Sequence, residues 1–247
     1  MTDLSAFQRF LDDIKAAENN DELERSLALA CDTMGFQYFA LTQHSASPGP
    51  QAMRLHNYPE AWVGWFDDHH LSVTDPVHRA SQVTSLGFNW STVPSMIKLT
   101  RADEDILARA RREGIGDGFT VPAHVPGEVS GSCSFAVDPL RDMPERALPF
   151  LQLIGAFAFE AGRRLHHVRD VAPGKPPVLT DRQRDCVLWA ARGKTAWEVA
   201  QILGLSEETV IQHLKLARER YEVPKQALLA VWALFDGLIT FEDILQR

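Results

Sequence analysis

A capping box, a glycine and a second helix cap follow one another between residues 195 and 221, in the sequence TAWEVAQILGLSEETVIQHLKLARERY. Thr195 followed three residues later by Glu198 predicts the start of a helix. Gly204 ends that helix, because glycine adopts the left-handed conformation without steric cost, and Ser206 caps a second helix. The apolar positions of the second helix recur at spacings of four, three and four, which predicts one buried stripe: Val210, Leu214, Ala217 and Tyr221. The first helix is expected to bury Val199, Ile202 and Leu203.

Two helices joined by so short a turn form the helix-turn-helix geometry, which lays the second helix into the DNA major groove. The candidate DNA contacts in this pair are Thr195, Ser206, Thr209, Gln212, His213, Lys215 and Arg218. The alternative, from this stretch alone, is an ordinary helical hairpin that packs on its own domain, because amphipathic hairpins are common.

Residues 171–177, VAPGKPP, predict an extended linker because three prolines and a glycine exclude a helix. The chain of 247 residues suits two domains. We therefore expect a first domain over residues 1–168, a linker over 169–178 and a second domain over 179–247. A last helix near 225–236 is almost wholly apolar, so it needs cover on more than one side, either from a second copy of the chain or from the first domain.

The acidic residues are concentrated away from the helix-turn-helix. The net charge is -8, whereas residues 175–247 hold ten Lys and Arg against ten Asp and Glu. Because neutralisation of phosphates supplies most nonspecific DNA affinity, a neutral domain binds DNA weakly. We therefore expect a dimer that reads two half-sites about 34–36 Å apart.

The chain shows no signs of export, membrane insertion or metal binding. Its acidic N-terminus does not resemble a secretory signal, and no apolar run is long enough to span a bilayer. Cys31, Cys133 and Cys186 are far apart, without the spacing of metal ligands or of a disulfide framework, which suggests a reducing compartment. We expect a cytoplasmic protein with no membrane partner, no metal and no cofactor.

The first half mixes helices and strands without regular alternation. Predicted helices cover residues 4–17, 21–34, 59–70, 102–113 and 144–167, and predicted strands cover 36–44, 53–57, 117–125 and 130–137. This order disfavours a doubly wound parallel sheet. We expect an α+β chain, in which an N-terminal α-β-α sandwich with an antiparallel sheet precedes an all-α, four-helix helix-turn-helix domain.

Aromatic rings surround one acidic residue between positions 58 and 90. Five large rings lie in this stretch: Tyr58, Trp62, Trp65, Phe66 and Trp90. Asp75 precedes Pro76, which favours an extended bend, and a carboxylate among rings is costly unless donors reach it. Either Asp75 recognises a ligand, or it caps a turn while the rings fill the core.

Both halves together resemble the LuxR-type quorum-sensing transcription regulators, over most of the chain. The matching residues of the first half are Tyr58, Trp62, Asp75, Pro76, Trp90 and Gly118. Those of the second half are Leu179, Thr180, Arg182, Gly193, Lys194, Glu198, Ala200, Ser206, Thr209, Val210, His213, Gly237, Leu238 and Ile239. The resemblance implies an autoinducer-binding domain for an acyl-homoserine lactone, followed by a DNA-binding domain.

The resemblance also implies a role for each ligand-binding residue. Asp75 would accept from the ligand amide, Trp62 would donate to the lactone carbonyl, Tyr58 and Ser134 would bond the acyl carbonyl, and Trp90 would pack on the lactone ring. By position alone, the expected wall residues are Phe39, Leu41, Val63, Val73, Val77, Phe88, Phe119, Val121 and Phe135. Phe66 stands where the family usually has tyrosine, which removes one hydroxyl from the site.

The implied partners are the lactone, promoter DNA and a second copy of the chain, with RNA polymerase as a further candidate. The alternative is a regulator of the same architecture that lacks a cognate synthase, responds to another small molecule or needs no ligand.

An enzyme is disfavoured. The clustered polar pairs are Asp67 with Asp68, His69 with His70, and His166 with His167, and neighbouring residues on a helix point in different directions. We therefore name no catalytic residue.

Overall fold

The computed structural model describes residues 4–44, 53–125, 128–166 and 177–245. The chain divides into two compact units, residues 1–168 and 169–247, each with its own apolar core. The predicted linker over 169–178 lies outside the described residues, apart from its last two positions, so its bounds stay a prediction. None of the described helices is both long and apolar enough to cross a membrane.

The first unit is built from helices and strands in mixed order. Its helices are α1 (Leu4–Ala16), α2 (Asn20–Thr33), α3 (Glu60–Asp68), α4 (Pro76–Ser81), α5 (Val93–Met96), α6 (Arg101–Arg112) and α7 (Leu148–His166). Its strands are β1 (Tyr38–Gln43), β2 (Arg54–His56), β3 (Phe88–Asn89), β4 (Gly118–Ala123) and β5 (Gly131–Ala136). The elements α4, α5 and β3 were not predicted, because each is too short to show a periodic pattern.

The five strands form one antiparallel sheet in the order β2-β1-β5-β4-β3. Side chains alternate between its faces. One face carries large apolar residues, such as Phe39 and Phe135, and packs against α1, α2 and α7. The other face carries small or polar residues, such as Ala40 and Ser134, and lies beneath α3, α4 and α6. Helices on both faces confirm the predicted α-β-α sandwich.

The Asp75–Pro76 step begins a helix. Asp75 has φ −52° and ψ 128°, which is the extended conformation expected before proline. Pro76 is the first residue of α4, where a missing N–H costs nothing. The predicted bend is therefore the N-cap of a six-residue helix.

The second unit contains the four predicted helices and a fifth. They are α8 (Asp181–Ala191), α9 (Ala196–Leu203), α10 (Glu207–Arg220), α11 (Gln226–Phe235) and α12 (Phe241–Leu245). The predicted capping box of Thr195 with Glu198 is formed, and a second one joins Thr180 with Gln183 at the start of α8. The hydrogen bond from the Thr195 backbone N–H, together with Lys194, lowers the pKa of Glu198 to about 2. Gly204 ends α9 in the left-handed conformation, with φ 66°.

The core of the second unit largely follows the predicted stripe. Val210, Leu214 and Ala217 of α10 are buried, and Tyr221 is half-buried. The prediction was wrong for Ile202, which is 44% exposed. Its α9 is only eight residues long, and Val199 already occupies the position that contacts the core.

The described part of the tail beyond residue 239 contains the short helix α12. Thr240 caps it through the Asp243 backbone N–H at 3.1 Å, and the Asp243 carboxylate accepts from the Thr240 N–H at 2.9 Å. Arg192, which follows α8, donates its Nε–H to the Asp243 carbonyl at 2.7 Å. These contacts fasten the tail to the end of α8.

Candidate functional site

A cavity opens between the polar face of the sheet and the helices α3, α4 and α6. Its empty volume is about 660 Å³, including the part open to solvent. All six residues predicted to bind ligand line it: Tyr58, Trp62, Phe66, Asp75, Trp90 and Ser134. Residues far apart in the sequence therefore converge on one space.

The Asp75 carboxylate is held by the helix that it caps. Its Oδ1 accepts the backbone N–H groups of Val77 at 2.8 Å and His78 at 2.9 Å. The residue is 6% exposed, and Oδ2 has no hydrogen-bond partner among the described residues. One oxygen thus supplies the turn-capping role, and the other remains free as an acceptor beside the cavity.

Tyr58 and Trp62 carry donors that line the same cavity as this acceptor. Loss of solvation, followed by the charge of Asp75, raises the pKa of the Tyr58 hydroxyl, which therefore keeps its proton. Trp62 is 7% exposed, and its ring centre lies 5.5 Å from Trp65 and 5.7 Å from Phe66. In the described part of the chain, neither the Tyr58 hydroxyl nor the Trp62 indole N–H has a hydrogen-bond partner.

A chain of hydrogen bonds links Trp90 to Ser134 through Thr120. The Trp90 indole N–H donates to the Thr120 hydroxyl at 2.8 Å, and the two hydroxyls of Thr120 and Ser134 lie 2.8 Å apart. Thr120 is fully buried. Because its proton has no other acceptor within the described ranges, Thr120 is best satisfied by donating to Ser134. The Ser134 proton is then free for the cavity.

Gly118 leaves room for the Trp90 indole. A Cβ atom built on Gly118 would lie 2.6 Å from Cε2 of Trp90, which is closer than real side chains approach. Only glycine lets β4 pass beneath the ring at this distance, so Gly118 and Trp90 together shape this wall of the cavity.

Most of the predicted wall residues lie elsewhere. Val63 and Val77 line the cavity, as expected. The prediction was wrong for the large strand residues, which point into the core on the opposite face of the sheet: Phe39, Leu41, Phe119, Val121 and Phe135. Phe88 packs in a separate cluster beside α4 and α5, and Val73 is 42% exposed. Because side chains alternate along a strand, assigning the inward-facing positions one residue out of step exchanges the two faces of the sheet.

The cavity is also lined by several polar residues that the sequence analysis missed. They are Thr42, Arg54, His56 and His78. Alternation along β1 and β2 is the pattern that could have found the first three, because they share a face with Ala40.

Two of the polar residues considered for catalysis make structural contacts instead. Asp67 forms an ion pair with Arg54 at 2.6 Å, and His69 Nδ1 lies 2.8 Å from the Trp65 carbonyl. His167 lies outside the described residues. No group of three potential metal ligands occurs in the part of the chain that the structure covers.

Five of the seven predicted DNA contacts lie on α10 and differ in exposure. Gln212 and Lys215 are exposed on α10, and the Lys215 Nζ lies 3.8 Å from Glu219. Thr209, His213 and Arg218 are half-buried. The Arg218 Nη1 donates to the Pro224 carbonyl at 3.3 Å.

The two remaining candidates, Thr195 and Ser206, are helix caps. The Thr195 hydroxyl accepts from Glu198 N–H at 3.2 Å, and the Ser206 hydroxyl accepts from Thr209 N–H at 3.1 Å. They position the starts of α9 and α10, whose backbone N–H groups are suited to phosphate oxygens.

Comparison with protein families gives two matches. The family model described as the autoinducer binding domain matches residues 19–162. The model described as bacterial regulatory proteins, luxR family, matches residues 177–233.

Individual relatives extend over nearly the whole chain. The transcriptional activator protein LuxR of Aliivibrio fischeri is 26% identical over 247 residues, covering 96% of this chain and 95% of that protein. A crystal structure of Escherichia coli SdiA is 25% identical with a TM-score of 0.62, covering 98% of this chain and 99% of SdiA. A second structure shows SdiA in complex with octanoyl-rac-glycerol. The N-acylhomoserine lactone dependent factor CepR2 of Burkholderia cenocepacia, at 15% identity and a TM-score of 0.52, covers 67% of this chain and 96% of CepR2 and shows the fold alone.

Proposed function

Because this chain belongs to the LuxR family of bacterial regulatory proteins, we propose that it binds an acyl-homoserine lactone in the cavity and promoter DNA as a dimer. The protein is a transcriptional regulator and not an enzyme. The observation that carries the proposal is the set of unpaired polar groups on three residues that line the cavity: Asp75 Oδ2, the Tyr58 hydroxyl and the Trp62 indole N–H.

The polar groups match an acyl-homoserine lactone in number and kind. Such a ligand has one amide N–H and two carbonyl oxygens and carries no charge. Asp75 supplies the acceptor, and Tyr58, Trp62 and Ser134 supply the donors. A small set of fixed polar groups in a mostly apolar pocket is typical of specific binding sites for small molecules. A hydrogen bond to the Asp75 carboxylate would contribute about 1.5–3 kcal/mol.

Ligand binding would act on the chain through its folding equilibrium. A ligand bound only by the folded state stabilises it by about 2.7 kcal/mol at a hundredfold excess over Kd. The ligand would also fill a cavity that otherwise leaves side chains without packing partners. We infer that ligand occupancy sets how much folded, DNA-competent protein is present.

An apolar surface on α11 supports the dimer. Val231 is 60% exposed and Leu228 is 43% exposed, while Leu229 and Ala233 on the other side of α11 are buried. A second copy of α11 would cover this surface. A dimer would also double the phosphate contacts of a unit that has no net charge. Contact with RNA polymerase and a location in the cytoplasm, where promoter DNA is found, belong to the same proposal.

Recovery of a ligand from the expressed protein tests the binding proposal. The full chain is expressed with and without a broad mixture of acyl-homoserine lactones, and the purified protein is extracted for mass spectrometry. We expect one or a few lactones at a stoichiometry near one per chain. Asp68→Asn is the matched control, because Asp68 is exposed and lies outside the cavity, and it should retain the lactone. Asp75→Asn should not. Extraction of no lactone from wild type would overturn the proposal.

A second candidate ligand is an acyl compound without a lactone ring. Phe66 lacks the hydroxyl that the family usually places there, which leaves the cavity more apolar, and SdiA has been crystallised with octanoyl-rac-glycerol. The same extraction distinguishes the two candidates, because it would then recover an acylglycerol from protein expressed without lactones.

A further inference from the structure

The cavity has a second set of unpaired polar groups that the head of a lactone does not use. On β1, Thr42 lies two residues beyond Ala40, on the same face of the sheet. Its partner on β5 is Ser132, and its partner on β2 is Arg54. Ser132 in turn lies two residues from Ser134, or about 7 Å along the strand. This end of the sheet face is therefore polar, although an alkyl chain would be expected to pack against apolar residues.

His78 faces this polar end with a defined tautomer. Its Nδ1 lies 2.7 Å from the Ser72 carbonyl oxygen, which can only accept. Nδ1 therefore carries the proton, and in the neutral ring Nε2 is a bare acceptor. His78 lines the cavity, and Nε2 has no hydrogen-bond partner among the residues that the structure describes.

The His78 ring is held by its neighbours. It stacks on His44 with ring centres 3.9 Å apart and planes inclined by 15°, and it meets Phe66 edge-on at 5.9 Å. His44 is 8% exposed and is fixed by the Ser132 hydroxyl, which lies 2.9 Å from its Nε2. An imidazole held on two sides presents its acceptor in one place, as a specific site requires.

Thr42 complements His78. Its hydroxyl can both donate and accept, and within the described ranges it has no hydrogen-bond partner. A nearby buried atom, Nδ1 of His56, is also unpaired, and His56 lines the same cavity. An unbranched alkyl chain laid against these groups would leave all of them without partners, which costs binding free energy.

We propose that Thr42 and His78 form a subsite for a hydroxyl group on the acyl part of the ligand. The ligand hydroxyl donates a hydrogen bond to His78 Nε2 and accepts one from the Thr42 hydroxyl. A keto group does not fit as well, because it has no proton for His78. The inference rests on the proposed function and adds the chemical class of the acyl group, which is an alcohol or a phenol.

Pairs of synthetic lactones that differ in one hydroxyl group test the subsite. One pair is 3-(4-hydroxyphenyl)propanoyl- and 3-phenylpropanoyl-homoserine lactone, and the other is 8-hydroxyoctanoyl- and octanoyl-homoserine lactone. Binding of each is measured on the full chain by calorimetry. For wild type we expect the hydroxyl-bearing member of at least one pair to bind about tenfold more tightly, the value of one hydrogen bond.

Variants assign that preference to the subsite. His78→Leu and Thr42→Val should each bring the ratio of the two dissociation constants close to one or below it. Thr42→Val preserves side-chain shape, so it remains informative where His78→Leu fails to fold. The control His69→Leu lies outside the cavity and should keep the ratio of wild type.

The outcomes separate the two proposals. Binding of octanoyl-homoserine lactone with no preference for a hydroxyl in either pair overturns the subsite and leaves the proposed function intact. A hydroxyl preference that survives both His78→Leu and Thr42→Val also overturns the subsite. Failure of all four lactones to bind overturns the subsite, and recovery of no lactone from the broad mixture overturns the proposed function as well.

Discussion

The carboxylate of Asp75 accepts the backbone N–H of His78 at 2.9 Å, so one helix start connects the acceptor for the ligand head with the acceptor proposed for its acyl part. A change at Asp75 can therefore act on the helix, on the ligand or on both. Substitutions that preserve the cap separate these effects.

We predict that Asp75→Asn leaves the free protein almost as stable as wild type, because asparagine caps helices as well as aspartate does. Asp75→Ala should lower the free energy of unfolding by about 1 kcal/mol through loss of the cap. Urea unfolding without ligand measures both. If both variants lose the same free energy of unfolding, asparagine does not replace aspartate as the cap, which would contradict the prediction.

We predict that Gly118→Ala displaces the Trp90 indole. The added methyl group would overlap the ring, and such overpacking costs about 1–3 kcal/mol of stability. Thermal unfolding and indole fluorescence follow the change. The double variant Gly118→Ala with Trp90→Phe should lose less stability than the two single variants lose in sum. Strict additivity of the two changes would contradict the predicted contact.

We predict that Thr120→Val weakens lactone binding although Thr120 does not line the cavity. It removes the link that orients Trp90 and Ser134 toward the ligand. It also leaves a partly buried indole N–H without an acceptor, which lowers the stability of the free protein by about 1–3 kcal/mol. Calorimetry on Thr120→Val, Ser134→Ala and the double variant measures the coupling. If the hydroxyls act as one chain, the double variant binds no more weakly than the worse single variant. Full additivity would show that they act separately.

We predict that the first unit loses stability as the pH falls below about 6.5. Burial, followed by the charges of His78 and His124, lowers the pKa of His44 well below its usual value. The unfolded chain then binds a proton that the folded chain excludes, so the free energy of unfolding decreases with falling pH. His56, whose pKa is lowered by burial and Arg54, acts in the same direction. Urea unfolding between pH 7.5 and 5 should show a smaller slope for His44→Gln than for wild type. An unchanged slope would exclude His44 as its source.

We predict different effects for two exposed residues of α10. Lys215→Ala should weaken binding to all DNA sequences and reduce the salt dependence by about one phosphate contact. Gln212→Ala should instead relax the preference for the operator over random DNA. Anisotropy titrations at several salt concentrations distinguish these results. Lys98→Ala, an exposed change in the first unit, is the control. The assignment of Gln212 fails if its variant loses affinity equally for both DNAs.

Local features of the chain were predictable from the sequence. The capping boxes at Thr180 and Thr195 and the left-handed Gly204 depend on neighbours three or four residues away. The four predicted strands need only alternation and turns, which is why their order along the chain was correct, whereas the two-residue β3 was not predicted. The short helix α4 was missed because its start at Asp75 and Pro76 is also typical of an extended bend.

The candidate site was harder to derive. Asp75, Trp62 and Ser134 lie on different elements, and the resemblance to a family, not their spacing, indicated that they belong together. The face of each strand residue depends on register with its neighbours, so Phe39 and Phe135 were placed in the cavity although they fill the core. His78 was missed for a different reason: it lies on the unpredicted helix α4, and its partner His44 is distant in the sequence.

Thermal unfolding of the full chain over a range of lactone concentrations tests most directly whether Asp75 binds the signal. We predict that the midpoint for wild type rises by roughly 5–10 °C at a hundredfold excess of the lactone recovered from cells over its Kd. Over the same concentrations the midpoint for Asp75→Asn should rise by less than half as much, because loss of about 1.5–3 kcal/mol weakens binding roughly ten- to a hundredfold. Equal increases for the two proteins, or no increase for either, would contradict the binding of a lactone through the Asp75 carboxylate.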